Sequence, residues 1–97
     1  MANINLSTFD NFFSAVLELS SIEECRAFFE DVCTIKELQD LSQRLEVAKL
    51  LNEKKNYNEI IKETGASTAT ISRVNKCLMY GNGGYEMILE KLSKAGK

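Results

Sequence analysis

Apolar residues recur at intervals of three and four along almost the whole chain, which is the spacing of one buried face on an α-helix. Short polar breaks with capping residues divide this rhythm into successive helical segments. No segment alternates apolar and polar residues with the period of two that is typical of a half-buried strand. The pattern therefore predicts an all-α fold without a β-sheet.

The first helical segment carries a stripe that is rich in aromatic residues. The stripe consists of Phe9, Phe12, Phe13, Val16 and Leu17. Ser7 or Thr8 is positioned to cap the start of this helix. One interpretation is that the stripe is ordinary core. The other is that it becomes core only across a dimer interface, because so short a chain offers few surfaces to cover it.

Two further helices begin at capping-box sequences, in which a serine or threonine precedes a glutamate by three residues. Ser21 with Glu24 opens the second helix, and Thr34 with Glu37 opens a longer one over 35–52. The apolar stripe of the long helix consists of Leu38, Leu41, Leu45, Ala48 and Leu51, and Val47 and Leu50 broaden it. This width predicts a central helix that packs on two sides.

Arg44 lies in the middle of the long helix, between apolar neighbours. Its stem could cover the core while its guanidinium group reaches solvent. Alternatively, the guanidinium group could line a pocket for an anion. The spacing of residues leaves both interpretations open.

The stretch from Asn56 to Leu78 predicts two short helices joined by a tight turn. Asn56 and Glu59 form a capping box, and Gly65 suits the left-handed conformation that ends many helices. Ser67 caps the second helix, which is expected over 68–79. The residues expected to face inward are Ile60, Ile61, Ile71, Val74 and Leu78; those expected to face outward on the second helix are Thr68, Thr70, Ser72, Arg73 and Lys76.

This outward face suits the major groove of DNA. Short side chains allow the helix backbone to approach the base edges, and Arg73 and Lys76 can meet guanine or phosphate. A helix, a glycine turn and a second helix also occur in ordinary helical bundles, where the polar face is merely hydrated. The motif alone does not choose between these alternatives.

Composition narrows the classes of protein that remain. The 97 residues predict a single domain over 1–97, with a helix-turn-helix head over about 56–79. The formal net charge of −2 disfavours nucleic acid weakly, but the charge is uneven along the chain. Residues 1–41 contain two basic and eight acidic residues, whereas residues 42–80 contain seven basic and four acidic ones. Such asymmetry favours a nucleic-acid partner for the head.

The sequence contains few residues suited to catalysis or metal binding. The three cysteines form no CxxC pair and there is no histidine, so we expect buried reduced thiols, no metal site and no enzyme activity. The glycines near Gly83 lack the spacing of a phosphate-binding loop. No cofactor is indicated. Neither a signal peptide nor a membrane-spanning segment is apparent, which predicts a cytoplasmic protein.

Several of these motifs together resemble the tryptophan-repressor superfamily, and more closely its small YerC/YecD-type branch. They are Thr34-x-x-Glu37, Leu41-x-x-Arg44, the Asn56–Glu59 capping box and the block GASTATISR that ends at Arg73. The resemblance covers about residues 28–92. It implies a six-helix, tryptophan-repressor-like protomer in an intertwined homodimer, whose two heads enter successive major grooves of double-stranded DNA.

The resemblance also implies roles for individual residues. DNA contacts are expected from Asn58, Thr68, Ala69, Thr70, Ser72 and Arg73, to which Lys76 adds a cation. The amino-acid effector site of the tryptophan repressor matches Thr34, Arg44 and Arg73, together with Cys77, where the family has a serine. The family's glycine after the second arginine is Val74 here, and a valine would project toward the space of the indole ring.

These departures argue against tryptophan as the small-molecule corepressor. Arg44 and Arg73 could hold a smaller anion or orient the head through acidic neighbours. The expected function is a dimeric, sequence-specific transcription regulator, with repression as the expected direction. The alternative is a helical protein-interaction module that keeps the fold without binding DNA, which the overall acidity favours.

Overall fold

A computed structural model describes residues 4–96 of the protein and contains six α-helices. A 3-10 turn, Leu6–Phe9, precedes them. The helices are α1 (Asp10–Leu17), α2 (Ile22–Val32), α3 (Ile35–Asn52), α4 (Tyr57–Thr64), α5 (Thr68–Tyr80) and α6 (Gly84–Lys94). Residues 4–96 contain no β-strand, which confirms the all-α prediction.

The helices form two units. The first ends at Ile35 and contains α1 and α2, and the second begins at Lys36 and contains the rest of α3 with α4, α5 and α6. The second unit includes both helices of the predicted head.

The start of the first unit differs from the sequence prediction. Asn5, rather than Ser7 or Thr8, caps the 3-10 turn, because its side-chain oxygen accepts a hydrogen bond of 3.0 Å from the Ser7 N–H group. Phe9 occupies the N-cap position of α1 and makes no side-chain capping bond. The 3-10 turn adds structure where a first helical cap was expected, so α1 begins later than predicted.

An aromatic cluster joins α1 to α2. The ring of Phe12 lies 5.9 Å from that of Phe28 and 6.4 Å from that of Phe29, and the last two rings meet edge to face at 5.3 Å. These distances and angles are those of favourable aromatic pairs. The cluster nevertheless leaves Phe12 40% exposed, and no described residue of the first unit is fully buried.

The cap of α2 is a variant of the predicted capping box. The Ser21 hydroxyl accepts a bond of 3.1 Å from the Glu24 N–H group, as expected. The Glu24 carboxylate, however, accepts from the N–H group of Ser20 at 2.8 Å, one residue earlier than the standard box requires. The helix start is therefore fixed by two serines instead of one.

The core of the described chain lies in the second unit. Its buried residues are Val47, Ala48, Leu50, Ile60, Ala66, Ile71, Val74 and Leu89. They come from all four helices of this unit and from the turn between α4 and α5. Because Val47 and Leu50 are buried together, the broad apolar surface of α3 is a genuine packing surface, as predicted.

Two positions of α3 contradict the predicted stripe. Leu41 and Leu45 are exposed, although they share a helical face with the buried Ala48. Within α3, the fully buried residues are Val47, Ala48 and Leu50, so the stripe is covered only toward the C-terminal end of this helix. The exposed leucines therefore extend an apolar surface that the single chain does not cover.

Candidate nucleic-acid interface

The first helix of the head begins at a complete capping box. The Asn56 side chain accepts a hydrogen bond of 2.9 Å from the Glu59 N–H group, and the Glu59 carboxylate accepts one of 2.9 Å from the Asn56 N–H group. Two backbone donors that the helix itself leaves unpaired are thus satisfied. The predicted start of α4 is confirmed at the level of individual bonds.

The turn between α4 and α5 depends on the backbone conformation of Gly65. This residue has φ of +73° and donates its N–H group to the Ile61 carbonyl at 2.8 Å. A Cβ atom at this position would meet no atom within 4 Å. The requirement for glycine is therefore conformational, because left-handed φ values are unfavourable for side chains other than those of a few polar residues.

Thr64 makes three hydrogen bonds that restrain this turn. Its hydroxyl donates a bond of 2.7 Å to the Ile60 carbonyl and accepts one of 3.1 Å from the Ala66 N–H group. Its own carbonyl accepts a bond of 3.1 Å from the side-chain amide of Gln43 in α3. The turn is consequently attached to the central helix by a hydrogen bond as well as by apolar packing.

The sequence predictions did not include Gln43 and Thr64. Thr64 could have been suspected, because a threonine in the last turn of a helix can bond the carbonyl four residues earlier. The sequence pattern does not identify Gln43, because its hydrogen bond depends on the position of α4 relative to α3.

Packing holds α5 against the rest of the second unit. The Ser67 hydroxyl accepts from the Thr70 N–H group at 3.1 Å and caps the helix as predicted. Ile71 and Val74 are fully buried in the core that Ile60 of α4 also enters. Ile61, which was predicted to face inward, is instead 36% exposed, because the short helix α4 directs only Ile60 into the core.

The face of α5 opposite the core is exposed, and most side chains on its first turns are small. Thr68, Ala69, Ser72, Arg73 and Lys76 are all exposed. Thr70 differs from the outward position predicted for it, since it is half-buried and its hydroxyl lies 3.2 Å from that of Ser67. Within residues 4–96, neither Arg73 nor Lys76 takes part in an ion pair. Their charges are thus available to an external anion.

Asn58 stands in the first turn of α4 and is also exposed. It is separated from Lys62 by one helical turn, so both side chains share the face opposite the buried Ile60. Asn58 accordingly belongs to the solvent-facing side of the head, as the predicted DNA contact requires.

The predicted effector residues are distributed over both units. Thr34 directly precedes α3 at the end of the first unit. Arg44 is half-buried in α3, and Arg73 and Cys77 are exposed one turn apart on α5. The assignment of these four residues to a ligand site stays a prediction.

Val74 fills space within the core of the second unit. It is 1% exposed and ranks among the largest fully buried side chains of this unit. Val74 is thus a packing residue of the core, as its predicted inward position requires. Cys77, in contrast, is exposed, and Cys25 and Cys33 are half-buried. The prediction of buried thiols is therefore wrong, most clearly for Cys77, which flanks the apolar stripe of α5.

No group of three or more His, Cys, Asp and Glu side chains within residues 4–96 could hold a metal ion. No helix in the same range is both long and apolar enough to cross a bilayer.

The fold and the head define a small all-α helix-turn-helix protein. The family model for the Trp repressor protein matches residues 7–93, which is most of the chain. The chain therefore belongs to the Trp repressor family. This membership confirms the resemblance that the capping boxes and the GASTATISR block indicated.

Individual relatives agree with this assignment. The chain is 55% identical over 85 residues to the uncharacterized protein YerC of Bacillus subtilis (strain 168). This alignment covers 88% of this chain and 82% of YerC. The crystal structure of a proposed Trp repressor from Staphylococcus aureus matches with a TM-score of 0.86 and 49% identity, over 90% of this chain and 87% of that one. A TrpR-like protein from Eubacterium eligens ATCC 27750 matches with a TM-score of 0.86 and 53% identity, over 90% of each chain. The tryptophan-repressor-like fold is thereby confirmed.

Proposed function

We propose that the protein is a sequence-specific DNA-binding transcription regulator that acts as a dimer through its helix-turn-helix head, with repression as the expected direction. The observation that carries this proposal is the outward face of α5. It presents small side chains followed by Arg73 and Lys76, whose charges have no ion-pair partner within residues 4–96.

The dimensions of α5 suit a major groove. An α-helix with its side chains is about 10–12 Å across, and the major groove of B-form DNA is about 12 Å wide. Ala69 and Ser72 keep the groove-facing side slim, so the helix backbone can approach the base edges. Arg73, one turn after Ala69, is then placed to offer its guanidinium group to a guanine or a phosphate.

Attachment of α5 favours recognition by a preformed surface. The capping bonds of Ser67, the buried side chains of Ile71 and Val74, and the Gln43–Thr64 hydrogen bond all restrain the head. A restrained recognition helix loses less conformational entropy when it binds. This arrangement supports DNA binding without a small molecule that orders the head.

Exposed apolar residues support a second copy of this chain as partner. In the first unit they include Phe9, Phe12, Phe13, Leu17, Ile22, Val32 and Ile35. In the second unit, the exposed Leu45, the half-buried Leu92 and the core residue Leu89 line a groove of about 450 Å³ between α3 and α6, beside charged residues that include Glu46 and Lys49. Apolar surface of this extent marks interaction sites on proteins. An intertwined homodimer would cover it and would place two heads in a two-fold relationship.

Control by tryptophan is not part of the proposal. The buried side chain of Val74 occupies the position that is glycine in the tryptophan repressor, and Cys77 lacks a hydroxyl group to hold a ligand. If an effector acts, the half-buried Arg44 and the exposed Arg73 favour a small anion.

The experiment that tests the proposal is selection of bound duplexes from a random pool by the purified full-length protein without added ligand. Recovery of an inverted repeat with half-sites about one helical turn apart is expected. Arg73→Ala is the matched variant. It should no longer bind the selected duplex preferentially, although it should remain folded. Failure to enrich any duplex, with or without tryptophan and a small-molecule extract, would favour the interaction module, which the net charge of −2 supports.

A further inference from the structure

The turn between α3 and α4 contains an unusual lysine. Lys54 has φ of +68° and is the one non-glycine residue with positive φ within residues 4–96. The Lys54 N–H group bonds the Leu51 carbonyl at 3.0 Å, and the Lys55 N–H group bonds the Leu50 carbonyl at 3.1 Å. This pair of bonds is the helix ending at which glycine is the usual residue. A lysine here accepts backbone strain that glycine would avoid, and such strain points to a role for the side chain.

The position of Lys54 connects this turn to the recognition helix. Lys54 lines a surface depression of about 240 Å³ together with Asn75 and Met79 of α5. The neighbouring Glu53 lies on the other side of the turn, where it lines the groove between α3 and α6 with Leu89. The strained backbone thus separates the two opposite charges and places the cation beside α5.

The lysines of this turn form no ion pair with another described residue. Lys54 and Lys55 are both exposed. Glu86 of α6 also lines the depression beside Lys54 but is not paired with it. The Glu59 carboxylate is engaged by the Asn56 backbone in the capping box. Two ammonium groups therefore project from the edge of the head.

We propose that Lys54 and Lys55 bind the DNA phosphate backbone that flanks the half-site read by α5. The inference rests on the proposed function. A recognition helix contacts base edges through its N-terminal residues, while the first helix of the motif crosses the DNA backbone. Lys54 and Lys55 directly precede the Asn56 cap of α4, the first helix of the head, and therefore stand at the start of the element that would cross the phosphates. Contacts of this kind fix the position of the protein and add affinity without reading sequence.

The test compares the salt dependence of DNA binding between the full-length protein and Lys54→Gln/Lys55→Gln, with a duplex recovered in the selection. The slope of log affinity against log salt should become shallower by about 0.9 for each lost phosphate contact. The preference for the selected sequence over a scrambled duplex should stay unchanged. The matched control is Lys91→Gln/Lys94→Gln in α6, which removes the same charge and should leave the slope as in the wild type.

A second variant separates charge from folding. Lys54→Gly removes the ammonium group and relieves the positive φ, so its melting temperature should equal or exceed that of the wild type while its DNA affinity falls. A role of Lys54 in folding alone would make stability and affinity change together. A wild-type slope in the double variant would overturn this inference and leave the proposed function standing. Absence of DNA binding by the wild type would overturn both.

Discussion

The side-chain amide of Gln43 donates a hydrogen bond of 3.1 Å to the backbone carbonyl of Thr64. The bond links the middle of α3 to the last residue of α4, directly before the turn into α5, the proposed recognition helix. It joins two positions 21 residues apart and lies in a partly buried setting. The orientation of the head therefore depends on one specific polar contact in addition to the apolar core.

Removal of this bond should loosen the head. Gln43→Ala should lower the free energy of unfolding by about 1 kcal/mol, since a partly buried carbonyl loses its partner. Amide hydrogen exchange should rise at Gly65, Ala66 and Ser67 more than in the buried turns of α3. Gln39→Ala, an exposed glutamine one turn earlier, is the matched control. Unchanged exchange at the turn would show that packing alone positions the head.

Gly65 is expected to tolerate few other residues. Gly65→Val should reduce the free energy of unfolding by about 1–2 kcal/mol, because a β-branched side chain is strained at positive φ. Gly65→Asn should cost less, since asparagine adopts this conformation more readily. Thermal or denaturant unfolding of the two variants measures the difference. Equal melting temperatures would contradict the conformational explanation.

Arg73 is expected to contribute to binding rather than to folding. Its side chain is exposed and lacks an ion-pair partner within residues 4–96. Arg73→Ala should weaken specific DNA binding by about 1–3 kcal/mol and leave the melting temperature within error of the wild type. Fluorescence anisotropy with the selected duplex gives the affinity. An unchanged dissociation constant would remove Arg73 from the interface.

Tryptophan should not alter the DNA affinity of this protein. Val74 is packed in the core, so its own side chain fills the space at this position of α5. Titrations with and without millimolar tryptophan should give dissociation constants that agree within twofold. A tenfold tightening would show that the side chain of Val74 moves to admit a ligand.

Dimer formation should depend on the apolar face of α1. Leu17 is 83% exposed, so replacing it removes little packing within one chain, whereas Phe13 is 43% exposed and its ring lies 6.2 Å from that of Phe12. Phe13→Glu/Leu17→Glu should shift the protein from dimer to monomer at micromolar concentration, because buried carboxylates oppose association. Sedimentation measures the change. Asn11→Glu/Ser14→Glu, which adds the same charge at exposed polar positions of α1, should remain dimeric.

Features governed by neighbouring residues could be predicted from the sequence in detail. The capping box at Asn56, the left-handed Gly65 and the cap at Ser67 all lie where local hydrogen-bonding and backbone preferences put them. Each depends on two to four adjacent residues. The turn of the head was accordingly predictable without knowledge of the rest of the fold.

Features governed by tertiary packing could not be predicted in this way. Leu41 and Ala48 belong to the same helical stripe, but only Ala48 meets other helices of its unit. Periodicity identifies an apolar face and not the length over which another element covers it. The same limit explains why Ile61 was expected inside and why the Gln43–Thr64 bond gave no sign in the sequence.

All fully buried residues of the described chain lie in the second unit, and this distribution affects how long the protein survives in the cell. If the proposed homodimer forms, a newly made chain carries its α1 and α2 aromatic surface in contact with water until it meets a second copy. Folding and assembly are then linked by mass action, so the melting temperature should rise with protein concentration. At low abundance, the aromatic segment would be the first part of the chain offered to proteases. Stability against degradation would therefore increase as the protein accumulates.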